Sequence, residues 1–393
     1  MLKNLLTLRY DSSLNSQLPK LDWRSFIPNE SENSEQIIEE KIINYLKKIP
    51  NLDDSSNIAA ALSGGIDSTL VLYYIKKQFP ENDIKTFSVK FSNSVDETPY
   101  ASKISENLDV DFETIFVDNY FEELPKAISL IKLPFWDIHW YYVAKNASKF
   151  SNFLVSGDGG DELFGGYTFR YQKFLSLIEN ASDSLEKTRN YLKCHARDHV
   201  GDQESIFNKN LEFSWDSIYS QIIPFFENSL EPLNQVFYAD YSGKLLHNFS
   251  IINPLINKHF QLQSITPLLS PEMISFATHV PSKLKFNQES NQGKLLLQNL
   301  LKKNKLDSLI IPSKQGFSVN TKSLWNAQGK KLCKDYLLEA NIVRDGYINE
   351  SWIKKHIENE LDINYINKFY GILAFEIWYR LFITKEISSN SKL

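Results

Sequence analysis

The stretch AAALSGGIDSTL, residues 59–70, decides the fold that we predict for this chain. Residues 57–62 are short and apolar, as in a buried parallel strand, and residues 68–77 carry apolar side chains at helical spacing. A glycine-rich turn joins the two segments. The stretch therefore predicts a strand, a tight loop and a helix, which is how an α/β domain begins.

The turn SGGIDS has the properties of a phosphate-binding loop. Glycines let the backbone approach an anion without a Cβ in the way, and a helix N-terminus presents backbone N–H groups to it. Serine hydroxyls add donors, and the carboxylate of Asp67 is a hard ligand that suits Mg²⁺. The turn predicts a polyphosphate with its metal.

Two common nucleotide-binding patterns are absent from the sequence. The chain contains neither the GxxxxGK[ST] string of kinase-type loops nor the GxGxxG dinucleotide fingerprint. SGGIDS instead resembles the pyrophosphate loop of the N-type ATP pyrophosphatases, which split ATP between its α and β phosphates. Because a plain strand-to-helix turn is the alternative for so short a motif, a second motif has to decide.

Composition and charge limit the classes of protein to which the chain can belong. Its 393 residues are 42% hydrophobic and 23% charged, which is typical of a soluble globular protein. No run approaches the roughly 18 apolar residues of a membrane span, and a net charge of -5 argues against a general nucleic-acid binder. We expect a cytoplasmic protein without membrane or nucleic-acid partners, and we take the final Ser-Lys-Leu as an accidental match to a peroxisomal address.

The order of patterns along the chain predicts a parallel sheet followed by a mainly helical half. Residues 84–91 and 112–117 are patterned as strands with a helix between them, and residues 153–155 form a further apolar strand. The predicted fold class is therefore α/β, with a parallel twisted sheet flanked by helices. From residue 169 onward, helical segments dominate.

We predict one continuous catalytic domain between an arm and a tail. Residues 1–35 contain prolines and polar residues and are expected to form an N-terminal arm and linker. Residues 36–168 form the α/β nucleotide-binding part of the domain, and residues 169–385 form its mainly helical part. The polar residues 386–393 are expected to be a flexible tail.

The strand at residues 153–155 leads into a second glycine-rich motif, SGDGGDELFGGY, residues 156–167. Three carboxylates within five positions repel one another unless a cation neutralises them, so the motif favours Mg²⁺ bound to a polyphosphate. An acidic surface turn would explain the charges but not the glycine pairs.

Together the two motifs resemble the synthetase domain of asparagine synthetase, a family that also includes the β-lactam synthetases. They occur in the family's order and at a similar separation. Later markers extend the resemblance over residues 36–385, namely PSKLK at 281–285, GK at 293–294 and KQGF at 314–317. The resemblance implies an adenine nucleotide alpha hydrolase-like fold. It also implies a reaction in which ATP adenylates a carboxylate and pyrophosphate is released.

The resemblance assigns nucleotide and metal ligands by motif position. The residues implied to hold the β and γ phosphates are Ser63, Gly64, Gly65 and Ser68. The carboxylates implied to bind Mg²⁺ belong to Asp67 and Asp161. The residues implied to contact adenosine or the adenylate are Leu62, Val89, Ser156 and Gly157.

Two further residues receive catalytic roles from the resemblance. Asp158 stands where asparagine synthetases commonly carry Glu, and it would bind the attacking amine or handle its proton. Lys314 matches the family lysine that neutralises charge on the phosphates as the carboxylate attacks. A lone lysine is more often a solvated surface residue, but the adjoining Gly316 and Phe317 favour the functional interpretation.

Two departures from the family pattern affect the substrates that we expect. Residue 2 is Leu2 rather than the cysteine nucleophile of a glutaminase domain, so we expect ammonia from solution or from a separate glutaminase subunit. The family stretch Glu-x-Arg-x-Pro-x-Leu-Asp appears here as QSITPLLS, residues 263–270, without its acids and arginine. These losses disfavour β-lactam synthesis and weaken the case for aspartate.

Three functions remain open at the level of sequence. The leading one is an ATP-dependent ligase that joins a carboxylate to ammonia or an amine, with asparagine synthesis from aspartate as the best single guess. A second keeps the reaction but changes the acid to a sugar uronate, a peptide or a small metabolite. A third is a paralogue that binds ATP without turnover, against which the intact Asp67, Asp161 and Lys314 argue. An oligomer is compatible with all three.

Overall fold

Five parallel strands form the centre of the protein. The computed structural model describes residues 1–29, 32–92, 96–178, 183–195, 197–311 and 320–393. The strands are β1 (Ile58–Ala61), β2 (Ile84–Phe91), β3 (Asp111–Val117), β4 (Phe153–Val155) and β5 (Gln263–Ile265). They lie in the spatial order β3-β2-β1-β4-β5, and all four pairings are parallel. The predicted parallel sheet is confirmed.

The first half of the chain supplies helices that flank this sheet. These helices are α1 (Leu2–Leu8), α2 (Ser34–Leu46), α3 (Ile66–Gln78), α4 (Thr98–Asn107), α5 (Leu124–Ile131), α6 (His139–Ala147) and α7 (Gly160–Phe164). Alternate residues of β1 enter two different apolar clusters: Ala59 and Ala61 belong to one, and Ile58 and Ala60 to the other. Both faces of the sheet are therefore buried, which explains why β1 is apolar throughout.

The second half is mainly helical, as the sequence predicts. Its helices are α8 (Thr168–Leu177), α9 (Ser184–Cys194), α10 (Trp215–Ile222), α11 (Pro232–Asp240), α12 (Ser250–His259), α13 (Pro271–His279), α14 (Ser282–Lys285), α15 (Leu295–Lys303), α16 (Thr321–Leu324), α17 (Lys330–Leu337), α18 (Asn341–Arg344), α19 (Glu350–Ile357) and α20 (Ile363–Phe382). A π-helical segment, Tyr241–Phe249, joins α11 to α12. A two-stranded antiparallel ribbon adds β6 (Phe286–Asn287) and β7 (Gln292–Gly293).

Strand β5 and helix α1 are among the elements that were not anticipated from the sequence. Strand β5 pairs with β4 inside the half that was expected to be helical, and its three residues are too few and too polar to show a strand period. Within the expected N-terminal arm, Leu2–Leu8 forms a helix with Leu5, Leu6 and Leu8 buried. Burial of these leucines explains why this end of the arm is folded onto the protein.

The C-terminal residues 386–393, expected to be flexible, contact the region around α5. Lys392 Nζ lies 2.7 Å from Glu123 Oε1 and 3.3 Å from Glu122 Oε1. The side-chain amide of Asn119 donates to the carbonyl oxygen of Leu393 at 2.8 Å. Where the domain begins and ends along the chain stays a prediction.

The path of the chain through the sheet creates one crevice. From β1 the chain adds β2 and β3 on one side and then returns to β4 on the other side. In open parallel sheets, ligands bind at such a switch point, outside the carboxyl ends of the strands. In the part of the chain that the structure describes, every helix is too short or too polar to cross a lipid bilayer.

Candidate functional site

Two glycine-rich turns meet at the switch point between β1 and β4. SGGIDS follows β1, SGDGGDELFGGY follows β4, and Ala60 pairs with Val155 across the two strands. The second turn lies against the start of α3: a Cβ on Gly157 would come within 2.7 Å of the backbone nitrogen of Ser68 and 2.8 Å of Asp67 Cβ. Only glycine leaves room for this approach, so the two motifs are in direct contact.

The first turn is closed by its own serines. Ser68 Oγ accepts from the backbone N–H of Ser63 at 3.3 Å and lies 3.1 Å from Ser63 Oγ. Gly64 has a φ of 69°, which favours glycine. Helix α3 begins after Gly65 without a side-chain cap, so no capping side chain takes its first N–H groups. These N–H groups are the donors that an anion would meet, and phosphate binding by the turn stays a prediction.

A buried lysine joins the two predicted metal ligands. Lys294 Nζ lies 2.5 Å from Asp67 Oδ2 and 2.6 Å from Asp161 Oδ1. Burial alone would lower the pKa of Lys294, but the charges of Asp161 and Asp67 outweigh burial and raise this pKa above its usual value. The ammonium group is therefore held charged between the two carboxylates. We call Ser63, Gly64, Gly65, Asp67, Ser68, Asp161 and Lys294 the loop cluster.

The chemistry of the loop cluster fits Mg²⁺ bound with a polyphosphate. Mg²⁺ prefers oxygen ligands, and in nucleotide sites it commonly takes one or two carboxylates together with phosphate oxygens. Asp67 and Asp161 supply two carboxylates that already converge on one cation, the Lys294 ammonium. The same two residues would hold Mg²⁺, and their assignment as metal ligands stays a prediction.

A second group of polar residues surrounds Asp158. Asn253 Nδ2, on α12, donates to Asp158 Oδ2 at 3.1 Å, and burial raises the pKa of the Asp158 carboxyl. His139, at the start of α6, has its Nδ1 2.8 Å from Asp137 Oδ1. The charge of Asp158 also acts on the His139 ring. With Arg9, these residues form what we call the Asp158 cluster.

Arg9 connects the Asp158 cluster to the N-terminal segment and to the helical half. Its guanidinium lies 2.9 Å from Asp137 Oδ2 and 3.9 Å from Asp198 Oδ1. The carbonyl of Arg9 accepts from Asn248 Nδ2, in the π-helical segment, at 2.7 Å. Burial alone would lower the pKa of Arg9, but the charges of Asp137 and Asp198 raise it. The N-terminal segment therefore contributes a fixed cation to this side of the site.

The remaining predicted site residues lie around the same crevice, with one exception. Leu62 is buried and its backbone N–H donates to the Phe87 carbonyl at 2.9 Å. Val89 lies on the neighbouring strand β2, and the backbone N–H of Ser156 donates to the Ile265 carbonyl at 3.0 Å. Lys314 lies outside the described residues. The contacts of Leu62, Val89, Ser156 and Gly157 with a nucleotide stay predictions.

Lys294 and His139 are among the site residues that had no role in the sequence analysis. Lys294 appeared there only as part of a family marker, because it is far from both acidic glycine-rich motifs in the sequence and no local pattern links it to them. His139 had no local signal, because its position depends on α6 running back toward the amino end of β4, which leaves the first residue of α6 at the carboxyl edge of the sheet. The place of Lys294 and of His139 in the site can be recognised only once the fold is known.

An open polar groove of about 740 Å³ lies at the opposite, amino edge of the sheet. Its lining includes residues that precede β1, β4 and β5, among them Asn57, Ser151 and Gln261. Because the glycine-rich turns follow the carboxyl ends of β1 and β4, we assign the site from the topology and the side-chain chemistry.

These features define a class of protein: a parallel α/β protein with a nucleotide-binding loop and two aspartates at its switch point. The family model described as asparagine synthase matches residues 51–380. The chain therefore belongs to the asparagine synthase family.

Individual relatives match this chain at low identity or over short segments, and the chain spans less than two thirds of the length of each. The chain is 22% identical over 397 residues to asparagine synthetase [glutamine-hydrolyzing] 1 of Bacillus subtilis, covering 92% of this chain and 62% of that protein. It is 37% identical over 115 residues to a putative asparagine synthetase 2 of Methanocaldococcus jannaschii, covering 28% of this chain and 22% of that protein. An NH₃-dependent NAD⁺ synthetase of Carboxydothermus hydrogenoformans is 32% identical over 142 residues, 33% of this chain and 56% of that protein.

Proposed function

We propose that the protein is an ATP-dependent ligase that adenylates a carboxylate, releases pyrophosphate and transfers the acyl group to ammonia or an amine. The observation that carries this proposal is the convergence of Asp67 and Asp161 on Lys294 beside a turn with uncapped helix donors. Membership of the asparagine synthase family supports it. ATP is the substrate, and Mg²⁺ bound to its phosphates would supply neutralising charge.

In the first step, a carboxylate oxygen attacks the α-phosphorus of ATP and the bond to pyrophosphate breaks. Negative charge then builds on the departing phosphates. The backbone N–H groups of the SGGIDS turn would donate to these oxygens, and the Lys294 ammonium would neutralise their charge. Lys314, which the sequence resemblance assigns to the same task, would act with it. The protein mainly positions the reactants, since the mixed anhydride itself makes AMP a good leaving group.

In the second step, an amine nitrogen attacks the carbonyl carbon of the acyl-adenylate and the bond to AMP breaks. The Asp158 cluster would receive the amine, because Asp158 lies within the turn that follows β4, at the same switch point as the SGGIDS turn. Asn253 holds one oxygen of this carboxylate. The nitrogen would come from ammonia in solution or from a separate glutaminase.

Asparagine formation from aspartate is the first candidate reaction, because the family and two of the relatives above carry that name. The altered stretch QSITPLLS supports a different acid as the second candidate. It pairs with the start of the second motif, because the Ile265 carbonyl accepts from the backbone N–H of Ser156 at 3.0 Å. Ile265 stands where the family pattern has arginine, so an apolar side chain replaces a cation beside this turn.

The test is pyrophosphate release with ATP, Mg²⁺, ammonia and a panel of carboxylates. Release that requires aspartate supports asparagine synthesis, and release that requires another acid of the panel supports the second candidate. If no acid of the panel causes pyrophosphate release although the protein still binds ATP, the result would favour a paralogue that binds ATP without turnover. It would overturn the proposed ligase function.

A further inference from the structure

A histidine and an aspartate in the Asp158 cluster have the geometry of an oriented base. His139 is the first residue of α6, and its Nδ1 lies 2.8 Å from Asp137 Oδ1. Because α6 leads into β4, its first residue lies at the carboxyl edge of the sheet, where Asp158 follows β4. The His139 side chain is 17% exposed, so the ring is mostly buried but still reaches the protein surface.

The carboxylate of Asp137 is fixed by several groups. Arg9 pairs with its Oδ2 at 2.9 Å, and the Tyr120 hydroxyl donates to its Oδ1 at 3.1 Å. The same hydroxyl accepts from the backbone N–H of Ile138 at 2.8 Å, which fixes the tyrosine in turn. Burial would raise the pKa of Asp137, but His139 and Arg9 lower it well below its usual range. Asp137 is therefore ionised and can only accept hydrogen bonds.

This arrangement determines the tautomer of His139. An ionised carboxylate has no proton to give, so the Nδ1 atom that faces Asp137 must carry one. In the neutral ring the basic lone pair then lies on Nε2. A carboxylate that sets the tautomer and orientation of a histidine in this way is a known means of making a general base.

We propose that His139 is the general base of acyl transfer. It accepts the proton that the amine nitrogen loses when the C–N bond forms and the C–O bond to AMP breaks, while Asp158 binds the amine. Asp137 is a positioning residue that orients His139. The proposal rests on the ligase function proposed above, and it divides between two residues the roles that the sequence left to Asp158 alone.

The charges around His139 set the sign of the pH dependence. Among the described residues, the groups that act on it include Asp137 before α6, Asp158 after β4, Arg9 of the N-terminal segment and Tyr120 through Asp137. Burial alone would lower the pKa of His139, but the charge of Asp137, reinforced by that of Asp158, raises it. Because the neutral ring is the base, acyl transfer should fall as the pH drops through this raised pKa.

The experiment compares H139Q with the unaltered enzyme in two half-reactions. Adenylation is followed as carboxylate-dependent exchange of pyrophosphate into ATP, with the acid from the panel that gives the fastest exchange. Transfer is followed as amide formation with ammonia across the pH range. We expect H139Q to lose about 10²-fold in transfer, the usual contribution of a general base, with a much smaller change in exchange. In D137N the acidic limb of the transfer profile should move to lower pH, because the carboxylate that raises the pKa of His139 is gone.

H259Q is the matched control, since His259 is an exposed histidine at the end of α12. It should leave both half-reactions unchanged. Equal losses of exchange and transfer in H139Q, or an unchanged transfer rate and acidic limb, would overturn the role of His139 while leaving the ligase intact. An unaltered enzyme without exchange for any acid would overturn the proposed function and this inference with it.

Discussion

The loop cluster and the Asp158 cluster are neighbours at one edge of the sheet, yet the chain builds them in different ways. In the loop cluster, every residue but Lys294 comes from two short continuous motifs. In the Asp158 cluster, the residues come from four separate segments. Arg9 lies near the N-terminus, Asp137 and His139 lie at the start of α6, Asp158 follows β4, and Asn253 lies on α12. Phosphate binding is therefore encoded locally, whereas the second side depends on the whole fold.

The charge arrangement of the two clusters differs as well. In the loop cluster a single ammonium group lies between two carboxylates, which is suited to exchanging partners when a polyanion and its metal bind. In the Asp158 cluster, Arg9 and Asp137 are held in a sequence of fixed pairs that continues to Asp198 and Lys244. We infer that the first cluster responds to ligand charge and that the second keeps its geometry.

The largest expected effect comes from Asp67→Asn in the loop cluster. The variant keeps the shape of the side chain but removes the charge that faces Lys294 and that would hold Mg²⁺. Pyrophosphate exchange should fall on the order of 10³-fold, the upper range for losing one charge-stabilising group. Asp335→Asn, on the exposed surface of α17, is the control and should be unchanged. Full exchange in Asp67→Asn would refute the assignment of the loop cluster.

Lys294→Gln tests whether the lysine and Mg²⁺ use the same two carboxylates, those of Asp67 and Asp161. Exchange should fall about 10²-fold, because charge on the phosphates loses a buried cation. In the absence of nucleotide, Mg²⁺ should raise the Tm of this variant more than that of the unaltered protein, since the two carboxylates are left facing each other.

Lys302→Gln, on an exposed position of the same helix α15, controls for the loss of a lysine. It should match the unaltered protein in both exchange and its Tm response to Mg²⁺. If Mg²⁺ fails to stabilise Lys294→Gln, the two carboxylates do not form a shared cation site.

Arg9→Gln tests whether the second cluster is held by fixed charges. The change leaves Asp137 and Asp198 without their shared cation. Because the Arg9 and Asp137 side chains are each 22% exposed, the cost should lie between that of a surface pair, about 1 kcal/mol at most, and that of a fully buried pair, about 3 kcal/mol or more. The free energy of unfolding in urea reports the loss. Arg24→Gln removes an exposed pair with Asp22 and should have no measurable effect. Equal stability of both variants would show that the Arg9 pairs are not structural.

The smallest expected effect is a pH-dependent difference in stability between the unaltered protein and His139→Gln. The folded-state pKa of His139 is raised, chiefly by Asp137 acting against burial. Its contribution is therefore complete below the unfolded value near 6.5 and is lost as the pH rises through the folded value. The variant should lose more unfolding free energy at pH 5.5 than at pH 9. A larger loss at pH 9 would contradict the ion pair with Asp137.

The difference between a locally encoded loop cluster and an Asp158 cluster assembled by the fold explains which features could be predicted from the sequence. The SGGIDS and SGDGGDELFGGY motifs predicted their turns and the strands before them, because glycines and acids at close spacing have few other uses. That Asp67 and Asp161 lie together was implied by the family resemblance. Strand β5 was missed because Gln263 and Ser264 carry no apolar period. His139 and Arg9 could not be found at all, since their positions depend on how α6 and the N-terminal helix pack.

Isotope transfer tests the central claim most directly. The enzyme would be given ATP, Mg²⁺, ammonia and a carboxylate labelled with ¹⁸O in its reacting group, and AMP would then be analysed by mass spectrometry. Attack of the carboxylate on the α-phosphorus predicts one ¹⁸O atom in AMP and none in pyrophosphate. Label in inorganic phosphate, with ADP as the nucleotide product, would contradict an adenylating site.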